Sequence, residues 1–134
     1  MDKPLKTMPH FMLNRKVTTP TEYRRRNCVM VSYQLPLLKH CFILCSDQNA
    51  NGGQDERYAL MTFFLKEAER LAQDCVGDAQ AFMLVHSGMT IRKRSGWHLH
   101  VFVIQHRWQK AWVYAVLGVK NATLAMASLV RITL

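Results

Sequence analysis

The chain has 134 residues, of which 49% are hydrophobic, with only six Gly and four Pro, and this suits one packed domain. Its formal charge is +9. Asp78 is the last carboxylate, so residues 79–134 carry seven Lys and Arg and no Asp or Glu. That half therefore holds no acid/base carboxylate pair and disfavours a hard-cation site, which needs oxygen anions. It favours an anionic partner such as phosphate.

No apolar run approaches the roughly 20 residues of a bilayer span, and no signal-peptide-like stretch follows the basic N-terminus. A cytoplasmic protein with no membrane partner is the expectation. Cys28, Cys41, Cys45 and Cys75 form no CxxC pair and stand in apolar surroundings, which points to reduced, buried thiols.

Residues 1–27 hold three of the four prolines, the triplet Arg24-Arg25-Arg26 and no sustained apolar periodicity. They read as a basic, irregular N-terminal arm, with residues 28–134 forming the domain and a C-terminal tail. Cys28 to Gln34 and His40 to Cys45 are β-rich runs that predict an antiparallel strand pair. Ser46 to Gln54, with Asn49, Asn51, Gly52 and Gly53, is turn chemistry. From Asp55 to Asp74, apolar residues such as Leu60, Phe64, Leu71 and Ala72 recur at spacings of three and four, predicting an amphipathic helix. Asp55 and Glu56 suit its N-terminus and Gly77 its end.

Ala81 to Val85 predicts a third strand, Met89 to Gly96 a basic loop, and Trp97 to Gln105 a fourth strand that forms a hairpin with the third. Ala111 to Val119 alternates weakly as a further strand, and Ala122 to Leu134 reads as helix or strand. Antiparallel strands with one covering helix make an α+β two-layer domain.

The fourth strand carries the chemistry. Side chains alternate faces along a strand, so His98, His100, Phe102, Ile104 and His106 share one face while Trp97, Leu99, Val101 and Val103 share the other. Two imidazoles at i and i+2 can ligate zinc, but a catalytic zinc needs a third ligand, which His86, His106 or a cysteine would have to supply. No nucleophilic Ser or Cys triad motif is present. A third chemistry is attack on phosphorus by an imidazole nitrogen, which needs donors around the phosphate. Ser95 and Gly96 can supply a hydroxyl and a backbone N–H, and Arg92, Lys93 and Arg94 a positive field. Two imidazoles satisfied within a structural sheet are the plain alternative.

The segment from Ser95 to Ile104 resembles the signature of the histidine-triad (HIT) superfamily, His-φ-His-φ-His-φ-φ with φ apolar. The element order over residues 28–107 is similar too: a strand hairpin, a long helix, then a strand and the signature strand. The resemblance implies a HIT-like antiparallel sheet with one long helix packed on it. It also implies a nucleotide hydrolase or nucleotidyl transferase that acts on a phosphoester, phosphoanhydride or phosphoramidate without a cofactor or metal. By it, His100 matches the nucleophile that takes a nucleotidyl group, and His98 the histidine that orients it and contacts phosphate. Ser95 matches a phosphate-binding serine, Gly96 and Arg94 join the phosphate- and nucleotide-binding set, and His86 falls near an asparagine of the preceding strand. A homodimer through the helix and sheet edge is also implied.

Phe102 departs from the pattern, standing where the third histidine belongs. Phenylalanine has neither donor nor acceptor and cannot bind a phosphate oxygen. The transferase branch carries glutamine there, so the position tolerates change, but glutamine keeps an amide. A non-catalytic relative is the alternative, binding nucleotide or, through its basic surface and Trp97, Trp108, Trp112 and Arg24 to Arg26, nucleic acid. A structural protein that keeps only the fold is the third reading.

Overall fold

A computed structural model of the chain describes residues 12–46, 53–87 and 97–133. The elements are β1 (Leu13–Thr18), α1 (Thr21–Arg25), β2 (Cys28–Leu35), β3 (Leu38–Ser46), α2 (Gln54–Val76), β4 (Phe82–Val85), β5 (Trp97–Val103) and α3 (Arg107–Thr133). They divide into two units, residues 1–104 and 105–134.

In the first unit the five strands form one sheet in the order β1-β2-β3-β5-β4, with every neighbouring pair antiparallel. The α+β class expected from the sequence is the observed one. The β2–β3 hairpin closes through Pro36 and Leu37, a tighter turn than the five-residue separator read from the sequence. Leu37 pays for this with a left-handed backbone at φ 68°, a conformation uncommon outside glycine and asparagine.

Alternation along β5 builds the core. Leu99, Val101 and Val103 turn to one side of the sheet and pack with Phe42 and Leu44 of β3 against Leu60, Phe64, Ala68, Leu71 and Ala72 of α2. These helical positions follow the three-and-four spacing that puts them on one face. Gly77 ends α2 in the left-handed conformation at φ 74°, and its N–H bonds the Gln73 carbonyl at 2.9 Å, as a glycine cap does. Arg70, on the rim of the helix, bridges Glu67 and Asp74.

The expected irregular arm is corrected over its described part. Residues 13–18 form an edge strand paired with β2, and residues 21–25 a short helix. Tyr23 is wholly buried in the core and meets Phe63 edge-to-face at 5.3 Å, with the Arg26 guanidinium 4.7 Å above the same ring. An edge strand exposed on both faces, as β1 is apart from Thr18, has no need of apolar alternation, which is why periodicity did not reveal it.

The second unit is also a correction. The weak strand expected over Ala111 to Val119 and the undecided segment after it are one helix, α3, of 27 residues. Ala111, Ala115, Ala122, Ala125 and Ala127, with no proline, give the segment strong helix propensity. Short apolar runs do not separate helix from strand by period alone. At the start of the helix, Gln109 Oε1 accepts the backbone N–H groups of Gln105 (2.7 Å) and His106 (3.0 Å). As one element, Arg107–Arg131 is long and apolar enough to cross a membrane by length and composition.

Candidate functional site

The face of β5 turned away from α2 carries His98, His100 and Phe102. Strand pairing fixes what stands beside each, because residues directly opposite share a face. His98 is opposite Cys45 of β3, and His100 lies between Ile43 of β3 and Val85 of β4. Phe102 lies between Cys41 and Met83. One strand further out, β2 adds Val29, Val31 and Tyr33 to the three rows in turn.

The two imidazoles meet edge-to-face with ring centroids 5.6 Å apart and planes at 84°. The His100 ring lies nearly parallel to the Phe102 ring, with centroids 6.2 Å apart and planes at 8°. His100 is half-buried, and its Nδ1 is shut off from solvent. Ligand chemistry at this ring therefore falls to Nε2.

Burial is graded along the face. In the Phe102 row, Tyr33 is 3%, Cys41 0% and Phe102 1% exposed. In the His98 row, Val29, Cys45 and His98 are all half-buried. The face is closed at Phe102 and opens toward His98. The same burial pushes the Cys41 thiol from 9.0 up to about 12, so it stays neutral near pH 7 and is no nucleophile. Burial likewise raises the Tyr33 hydroxyl above its usual range, with Cys41 adding to the shift.

Of the residues singled out from the sequence, the structure brings His98 and His100 together. His86 is exposed and goes elsewhere: its ring stacks on Trp97 at 5.0 Å, and its Nδ1–H donates to the His98 carbonyl at 3.0 Å. Trp97 packs against the core on the α2 side, so His86 braces the start of β5 from the face opposite the imidazole pair. Ser95, Gly96 and Arg94, with Arg92 and Lys93, lie outside the described residues. β5 ends at Val103, so Ile104 and His106 are not strand positions, and His106 stands in the turn before α3.

Cys45 was missed as a neighbour of the histidines, because its place opposite His98 depends on a pairing across 53 residues of chain. The β-rich runs were legible, but their register was not. Among the described residues no three His, Cys, Asp or Glu side chains come together as a metal cluster. A hollow of about 230 Å³ is lined by Asn14, Ser32, Tyr33, Gln34, Lys39, His40, Cys41 and Phe42, and includes neither His98 nor His100. The imidazole pair, with its two rings edge-to-face, is the candidate site.

No protein-family model, curated protein or solved structure matches this chain.

Proposed function

We propose that the His98–His100 face engages the phosphate of a nucleotide or another phosphorylated small molecule, and that the protein is a HIT-like nucleotide hydrolase or nucleotidyl transferase. The observation that carries this is the imidazole pair at 5.6 Å on the open part of the sheet face, in a half of the chain that has cations and no carboxylate. In the reaction, Nε2 of His100 attacks the α-phosphorus, and the bond from phosphorus to the leaving group breaks. Water, or an acceptor in a transfer, then displaces the imidazole and restores it. His98 holds the phosphate and the orientation of His100. Ser95, Gly96 and Arg94, which precede β5 in sequence, supply hydroxyl, N–H and charge to the phosphate oxygens.

Phe102 supports a second reading, in which the same face binds nucleotide without turning it over, since the buried ring offers no donor beside His100. The two separate on turnover of an adenosine phosphoramidate or a dinucleoside polyphosphate. Hydrolysis that disappears in His100→Ala supports the enzyme. Affinity that falls with salt, without turnover in either protein, supports binding alone. Neither turnover nor binding contradicts both. A cytoplasmic homodimer completes the proposal, and sedimentation that gives a monomer contradicts its dimeric part.

A further inference from the structure

α3 carries a run of exposed apolar side chains. From Asn121 to Arg131 every residue is exposed, including Leu124, Met126, Leu129 and Val130. Toward the other end Trp108 and Tyr114 are exposed as well. Exposed apolar side chains in this number mark a surface of interaction.

Charge around the helix says what that partner is. At about 100° per residue, Lys110, Lys120 and Arg131 fall within about 80° of one another, an arc that also takes in Leu124, and Arg107 lies about 60° beyond Lys110. The arc that holds Trp108, Val119, Ala122, Met126 and Leu129 is centred on the side opposite Lys110, Lys120 and Arg131. α3 carries no Asp or Glu, so pairing with α3 of a second copy would bring like charges together. Anionic headgroups complement the cations, and the exposed tryptophan and tyrosine suit the boundary between headgroups and acyl chains. Although the helix is long enough to span, Lys120 and Asn121 sit near its middle, where a bilayer core tolerates charge and amide poorly.

We propose that α3 is an interfacial helix that lies along an anionic membrane surface. Its Trp108–Met126 face enters the headgroup boundary, while Lys110, Lys120 and Arg131 meet lipid phosphates. This departs from the expectation of no membrane partner, which rested on the lack of a spanning apolar run. It is independent of the nucleotide reading.

The test sediments the full chain with vesicles of phosphatidylcholine alone and of phosphatidylcholine mixed with phosphatidylglycerol. The expected result is binding at least about tenfold tighter to the mixed vesicles, weakened by salt, since each cation near an anionic surface adds to the attraction. Met126→Glu with Leu129→Glu, at exposed positions, removes binding while circular dichroism stays unchanged. The triple variant Lys110→Gln, Lys120→Gln, Arg131→Gln erases the preference for anionic lipid. Absence from both vesicle pellets overturns the proposal, as does equal affinity for the two compositions. Retention in the membrane through alkaline carbonate extraction also overturns it, because that marks a spanning helix. So does self-association, abolished by the glutamate variants, in a protein that ignores vesicles.

Discussion

The two faces of β5 are made by alternate residues of the same seven, yet they do different work. Leu99, Val101 and Val103 are buried against α2, and their contribution is to hold the sheet and helix together. His98, His100 and Phe102 face the other way, into a row that is closed at Phe102 and opens at His98. The strand thus anchors a rigid core with one face and presents imidazoles with the other, and the stiffness of the first face positions the second. Phe102 serves packing: its ring lies nearly parallel to that of His100 and is almost wholly buried. The half-buried imidazoles of this face end at His100.

Substitutions on the two faces break or sharpen that division. The largest effect is expected from Leu99→Ala, which removes a buried side chain between α2 and the sheet and costs about 2–5 kcal/mol by denaturant unfolding. A cost below about 1 kcal/mol would show that this face is not the anchor. Phe102→His follows. It places an imidazole in a closed row with Cys41 and Met83 and costs about 1–3 kcal/mol for a poorly satisfied polar group. Turnover should not rise, and a gain in activity would mean that position 102 does reach the ligand.

Alkaline pH tests the closed end of the same face. Cys41 and Tyr33 both hold their protons more tightly folded than unfolded. Their contribution to stability is therefore complete below the unfolded values of 9.0 and 10.0 and is lost as pH rises toward the folded ones. The unfolding midpoint should stay level on this account up to about pH 9 and then fall. Cys41→Val should flatten the fall between about pH 9 and 10, leaving the part due to Cys75, whose thiol burial also raises from 9.0, before Tyr33 begins to contribute above 10.0. A fall of unchanged size over that range would contradict a closed Cys41–Phe102 row. The smallest effect on stability is expected from His98→Ala, at the open end, at about 1 kcal/mol or less in denaturant unfolding.

Sequence periodicity carried α2 and β5, because each buries one face and exposes the other, and the apolar pattern records that directly. The two-face assignment of Trp97 to Val103 follows from alternation alone. β1 was not legible, since an edge strand with its side chains in solvent leaves no such record. Nor was α3: its alanines and valines fit either period, and helix propensity rather than apolar spacing decides it. At the site, the neighbours of the histidines along their own strand were readable. Cys45, Ile43 and Val85 were not, because register between distant strands is fixed by the packed sheet and not by any local signal. His86 entered the site set through the resemblance, as the counterpart of an asparagine on the preceding strand; its ring stacks on Trp97.

The most direct test of the central claim is to trap the intermediate. The protein is mixed briefly with an adenosine phosphoramidate, quenched under mildly alkaline conditions that spare a phosphorus–nitrogen bond, and weighed intact and as peptides. The account predicts one adenylyl group on the peptide that carries His100, lost on acid treatment and absent from His100→Ala, whose fold is retained by circular dichroism. No adduct on the wild-type chain, or an adduct that persists in His100→Ala, would contradict nucleophilic catalysis by this face.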